Sequence, residues 1–160
     1  LALGGQVNLR RSSGVRNVEI YDLITGGKTN SLSEGEFIES IRVPILNGPQ
    51  EFLKVGPRNA MVISVASLAM VTDTARKIIG VAMGSVSATP CRAKAAEEHI
   101  AEYINWDSMT VKASAIEEFV NLVKEATNPI DDHRSSRSYR LHTIGVLAQR
   151  ALTRSFGTED

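Results

Sequence analysis

A chain of 160 residues with 18 basic and 18 acidic side chains carries no net charge, so no long-range field draws it to a nucleic acid or an acidic lipid surface. That length suits one domain, or one domain with a flanking arm, and allows about two-thirds of the unfolded surface to be buried. A single cysteine, Cys91, excludes an internal disulfide, an iron–sulfur cluster and a cysteine-built zinc site.

The chain opens Leu1-Ala2-Leu3-Gly4-Gly5, with neither an initiator Met nor a basic-then-apolar leader. An apolar triplet closed by glycine is the pattern of a helix's final turn and its terminator. The pattern therefore predicts that the body of a helix, and a longer protein, precede Leu1. Residues 6–21 alternate about Ser12-Ser13-Gly14, with Val7 and Leu9 before it and Val15, Val18 and Ile20 after, which predicts a hairpin. Residues 22–33, rich in Gly, Thr, Asn and Ser, read as a loop. Alternation resumes over residues 36–43 and stops at Pro44, which has no N–H to continue a ladder. Asn47-Gly48-Pro49 turns the chain, and residues 51–55 begin another strand.

Residues 60–71 and 78–87 carry the strongest hairpin signal, joined by the polar Thr72-Asp73-Thr74-Ala75-Arg76-Lys77. Both arms are rich in Val, Ile, Met and small residues, so at least one face is buried. The first arm, the longest apolar run, is broken by Ser64 and Ser67 and is too short to span a bilayer. Gly80 and Gly84 lie inside the second arm, where a strand glycine marks a bulge or a close backbone approach.

After Pro90 the apolar period lengthens from two to about 3.6. Ala93, Ala96, Ile100, Tyr103 and Ile104 share one helix face, opposite Lys94, Glu97, Glu98 and Glu102. A second helix carries Ile116, Phe119, Val120 and Val123, with Ser114 and Glu117 at capping-box spacing. A third carries Ile144, Leu147, Ala148, Ala151 and Leu152 and starts within residues 135–138. Strands first and helices after predict an α+β fold: an antiparallel β-sheet built of hairpins, followed by a three-helix bundle against one side.

Three segments in fixed order carry a family pattern. They are Leu32-Ser33-Glu34-Gly35-Glu36-Phe37-Ile38-Glu39-Ser40-Ile41-Arg42-Val43-Pro44, then Phe52-Leu53-Lys54-Val55-Gly56-Pro57-Arg58-Asn59-Ala60-Met61-Val62, then Pro129-Ile130-Asp131-Asp132-His133-Arg134-Ser135-Ser136-Arg137-Ser138-Tyr139-Arg140. The set resembles the C-terminal portion of the FAD-binding medium subunit of the molybdenum hydroxylases, the xanthine and carbon monoxide dehydrogenase family. The resemblance implies that residues 1–44 are the tail end of an FAD-binding domain. Residues 45–160 would then be the C-terminal flavoprotein domain, a three-stranded antiparallel sheet plus three helices. It also implies that the Gly-rich loops holding the FAD pyrophosphate lie before Leu1, in a missing N-terminal FAD-binding segment.

Each candidate site has an ordinary structural reading beside the chemical one. Gly26-Gly27-Lys28-Thr29 imitates the end of a phosphate-binding loop, but Asp22 stands where that motif needs its first Gly, so nucleotide triphosphate binding is rejected. In the resembled family this loop lies close to the isoalloxazine ring and often offers an aromatic side chain, which is lacking here. A strand lysine such as Lys54 commonly reaches past apolar neighbours to water. The family's Phe-x-Lys-x-x-x-Arg pattern nevertheless matches at Phe52, Lys54 and Arg58, and implies that Lys54 reaches the flavin. Ile38 matches a position bordering the flavin, although an apolar residue there is also ordinary strand core. Asp131-Asp132-His133 has no further ligand at metal spacing, and Asp132 with Arg134 or Arg140 reads as an ion pair at a helix start. Tyr139-Arg140 matches the family's Tyr-Arg packing and interface signature. His99 and His142 fall on helices and read as surface or core-edge residues, and no nucleophile elbow is present.

The resemblance implies a part in the electron-transfer subunit of a cytoplasmic complex, a compartment to which the single cysteine also points. Electrons would pass from 2Fe–2S clusters on an iron–sulfur small subunit to FAD, and on to an acceptor. Substrate would be oxidised at a molybdopterin centre on a molybdenum large subunit, and the fragment alone would be inactive. The sequence alone also permits an alternative, a non-catalytic α+β protein-interaction domain, because no complete active site is present; such a domain would give no flavin-absorbing complex.

Overall fold

The computed structural model describes residues 1–159. Strands β1 (Gln6–Arg11) and β2 (Gly14–Glu19) form the expected hairpin. The expected loop over residues 22–33 instead holds a single helical turn, α1 (Ile20–Leu23), entering the segment, and a small hairpin of β3 (Ile24–Gly26) and β4 (Thr29–Asn30). Strand β5 (Phe37–Arg42) then pairs with β1, giving an antiparallel arm sheet in the order β2-β1-β5. Its own small core consists of Val7, Leu9 and Leu23, with Val18, Ile20 and Leu32 packed against them. Alternation places Val7 and Leu9 on one side, as a strand period of two requires.

The main sheet is antiparallel in the order β6 (Gln50–Val55), β7 (Ala66–Asp73), β8 (Ile78–Gly84), β9 (Cys91–Arg92). It has four strands where the sequence predicts three, because the two-residue β9 is too short to show a period. Strand β7 starts at Ala66, six residues later than expected. Gly56 and Pro57 break the ladder, and residues 56–65 fold back until the Val65 N–H donates to Val55 O at 2.7 Å. Val62 fills the space beside Gly56, where a Cβ would lie 2.3 Å from Val62 Cγ2. Strand β8 ends at Gly84 because Ser85, at φ +65°, turns the chain out of the sheet.

Helices α2 (Lys94–Glu102), α3 (Ile116–Glu125) and α4 (Arg137–Ser155) cover one face of this sheet. Among the described residues there are four α-helices, of which α1 is only one turn. Helix α4 lies over β6 and β7, α2 lies over β8, and α3 packs against both α2 and α4. Leu68, Met70, Val81 and Met83 meet Ile100, Phe119, Ile144, Leu147 and Leu152 in one continuous core, flanked by Leu53 and Val55. The anticipated Ser114–Glu117 capping box is not formed. Ser114 lies within a 3-10 turn, Ala113–Ala115, that runs directly into α3, so no side-chain cap is made. Ser136 does cap α4, accepting from the Tyr139 N–H at 3.2 Å.

Between α2 and α3 the chain forms β10 (Ile104–Asn105) and β11 (Thr110–Lys112). After α4 it returns as β12 (Gly157–Glu159), parallel to β11. That parallel pair departs from the wholly antiparallel expectation, since a three-residue strand after a helix leaves no sequence pattern. No helix among the described residues is long and apolar enough to cross a membrane, which does not bear on strands.

Candidate functional site

The alternation that turns Leu53, Val55, Leu68 and Met83 toward the helices turns their neighbours toward the opposite, open face. The register places Lys54 opposite Ser67, and Ser67 opposite Gly84, in one row across three strands. The next row is Phe52, Ala69, Ala82 and Arg92. Residues directly opposite in an antiparallel pair share a face. The open face is therefore nearly flat in the middle, with a lysine at one end of the first row.

Half of this face is covered. Residues 1–4 form a turn in which the Gly4 N–H donates to Leu1 O at 2.9 Å and Gly4 sits at φ +65°. The opening sequence implies the final turn of a helix, and the described residues hold the turn alone. The turn presses on β8 so closely that a Cβ on Gly80 would lie 2.3 Å from Ala2 O. Val71 and Gly80 are buried beneath it. The Lys54–Ser67–Gly84 end stays open, and Phe52 is 67% exposed beside it. A groove of about 280 Å³ runs between the turn and the sheet, lined by Leu1, Leu3, Gln50, Phe52, Ala69 and Val71.

Lys54 is exposed on β6, and no ion pair among the described residues involves it. A cation beside a flat, weakly polar surface can attract an anionic or electron-accepting planar group. Ile38 stands on another sheet: it lies opposite Leu9 in the arm and is 46% exposed. Ile38 thus shares the side of the arm that carries Leu9 but is not enclosed by it. The resembled segments therefore place these two candidates on different sheets.

The remaining motifs have structural employment. Gly26-Gly27-Lys28-Thr29 is the turn of the β3–β4 hairpin, with Lys28 at φ +67°, and leads to no helix start. Asp132 pairs with the side chain of Arg140, whose Nη2 donates to both carboxylate oxygens at 2.8 Å. Arg134 contributes only its backbone amide, which with that of Ser135 binds Asp132 Oδ1. The Arg134 amide is the leading cause that holds the Asp132 carboxyl below its usual range, with the Ser135 amide and Arg140 acting the same way. Asp131 Oδ1 accepts from the Arg137 amide at 2.6 Å. Arg140 is 5% exposed, and its Nη1 donates to Ser85 O, so this knot clamps the chain immediately after Gly84. His99 stacks at a tilt on Tyr103, and His142 is exposed on α4.

Sequence reasoning flagged Gly84 as a point of close approach, but not its alignment with Ser67 and Lys54. The period of two would have put Lys54 and Phe52 on one face; the partners across the ladder need the register. Residues 51–155 match the family model described as the CO dehydrogenase flavoprotein C-terminal domain. The chain belongs to this family. It is thereby a C-terminal domain of the molybdenum hydroxylase flavoprotein subunits, the group that the three sequence segments resemble. The glyceraldehyde dehydrogenase medium chain of Sulfolobus acidocaldarius is 30% identical over 154 residues, covering 94% of this chain and 52% of that one. Among solved structures, reconstituted CO dehydrogenase from Oligotropha carboxidovorans has a TM-score of 0.81 at 23% identity, covering 96% of this chain and 53% of that one. Quinoline 2-oxidoreductase from Pseudomonas putida 86 has a TM-score of 0.76 at 22% identity, covering 96% and 52%. These two likenesses show the same mixed α+β fold. The flavoprotein domain spans about half the length of the relatives it matches.

Proposed function

We propose that this domain forms one wall of an FAD site in the medium subunit of a molybdenum hydroxylase. The observation that carries the reading is the open end of the main sheet, where Lys54, without an ion-pair partner among the described residues, stands beside a flat row of small residues in a chain of the flavoprotein family. The fit is physical. Gly84 offers no side chain and Ser67 and Ala69 offer short ones, so a planar ring can approach the backbone, while Phe52 borders the same surface. Bound FAD supplies the exchange of one or two electrons that lets such a subunit pass reducing equivalents from iron–sulfur clusters to an acceptor.

The protein's part is electrostatic and positional. The Lys54 ammonium places positive charge where negative charge grows on reduction, favouring the reduced state without taking part in a bond change. Ile38, on the arm, supplies an apolar border. An iron–sulfur small subunit and a molybdopterin-carrying large subunit are the implied partners, and residues 1–44 and 45–160 would both contribute to holding FAD, as arm and domain. The complex would be cytoplasmic, in keeping with the single cysteine.

A redox titration of the FAD-loaded protein and its Lys54→Ala variant at matched salt tests this. The variant should show a lower flavin midpoint and weaker FAD retention with its fold intact, because one close charge at intermediate dielectric is worth on the order of a few kcal/mol before screening. Equal midpoints and equal retention would return Lys54 to an ordinary solvated strand lysine. A wild-type protein that carries no flavin in its complex would favour an interaction domain instead.

A further inference from the structure

Gly84 is a glycine without a backbone reason. Its φ is not among the positive values that favour glycine, unlike Gly4, Gly14 and Gly35. Nor does the protein's own packing demand it. A Cβ built on Gly84 would meet one neighbour within 4 Å, Ser67 Oγ at 2.7 Å, and that is the tip of a short side chain that can rotate. Gly80, Gly48 and Gly56 differ: a Cβ at those positions would strike Ala2 O, Thr72 O or the Val62 side chain at 2.3 Å. On the open face the bare backbone at Gly84 therefore meets only the Ser67 hydroxyl, which can turn aside.

Ser67 has the complementary property. Side chains at this end of the sheet that hydrogen-bond include Arg58, Ser87, Cys91 and Arg140, and the Ser67 hydroxyl makes no such bond among the described residues. It can donate one bond and accept others. It lies in register between Lys54 and Gly84, on the same face. The row spans three strands, about 10 Å at the usual strand spacing, a length comparable to a three-ring aromatic head. The edge is also fixed in place, since Arg140 holds the carbonyl of Ser85, the residue after Gly84.

Resting on the flavin reading, we propose that Gly84 and Ser67 are positioning residues of the FAD seat. Gly84 supplies the clearance for the ring to lie on the sheet, and Ser67 offers its hydroxyl to the ring's polar edge beside Lys54. A methyl group at Gly84 lifts the ring from the surface, and loss of the hydroxyl removes one hydrogen bond.

The test measures FAD rebinding to the deflavinated full-length flavoprotein in its complex, by fluorescence quenching and visible absorption. The variants are Gly84→Ala, Ser67→Ala, the double variant and Lys54→Ala. Ser67→Ala should weaken FAD binding about three- to tenfold, as loss of one ligand hydrogen bond does. Gly84→Ala should weaken it at least as much without lowering the melting temperature, and the double variant should not recover. The double variant separates the alternatives, because removing Oγ also removes the single contact that a Gly84 Cβ would make. Recovery of FAD affinity in the double variant would show that Gly84→Ala acts by strain against Ser67, and would overturn the clearance role. Wild-type affinity in all three Ser67 and Gly84 variants, with Lys54→Ala still weakened, would overturn the seat and leave the flavin reading standing. A wild-type complex without FAD would overturn both.

Discussion

Gly80→Ala should loosen the packing of the N-terminal turn on the main sheet. The added Cβ would lie 2.3 Å from Ala2 O, 3.1 Å from Val71 Cγ2 and 3.2 Å from Ala2 C. Ordinary contact begins at about 3.4 Å, so the turn must rise by about 1 Å, and two of the three obstacles are backbone atoms that cannot rotate away. Forcing one extra methyl into a packed contact costs about 1–3 kcal/mol. For a chain of this size each kcal/mol lowers the melting temperature by about 2–4 °C. Lifting the turn also uncovers Val71, now 6% exposed, which adds a smaller loss of apolar burial. The assay is thermal and urea unfolding, together with limited proteolysis near residues 1–5. Gly84→Ala is the internal control, because its Cβ meets only a rotatable hydroxyl and replacing a strand glycine otherwise gains up to about 1 kcal/mol. Equal effects of the two substitutions on stability and cleavage would refute the reasoning.

Two further outcomes follow from the same contacts. Leu147→Ala, at a residue 4% exposed in the core between α4 and the sheet, should cost about 2–5 kcal/mol and lower the urea midpoint; an unchanged midpoint would mean α4 is not docked as described. Glu36 is held at a pKa of about 2 by the Arg16 side chain and the Ser33 amide, below its ordinary 4.5. Its contribution to the arm is therefore complete above about pH 4.5 and lost as pH falls toward 2, and Glu36→Gln should flatten that part of an acid-unfolding curve; identical curves would contradict the pairing.

Periodicity made most of this fold legible. Alternation over residues 6–21 and 51–55, and the longer period after Pro90, correspond to the arm hairpin, β6 and the helices that cover the sheet. The sequence pattern places the start of β7 too early because apolar composition continues through residues 60–65, whereas the backbone obeys Gly56 and Pro57. Strands β9 and β12, of two and three residues, are held by their neighbours and have no pattern of their own. The candidate site shows the same division. Lys54 was visible through its motif, but its row partners Ser67 and Gly84 belong to other strands, and only the ladder aligns them.

The return of the chain as β12 has a practical consequence. Trp106 is the sole tryptophan, and the ring of Phe156, the residue just before β12, meets it edge-on at 6.2 Å. Any loosening of the carboxyl-terminal strand moves that ring away and admits water to the indole. The molecule thus carries its own optical gauge: emission excited at the tryptophan band reports, without a label, whether β12 is seated.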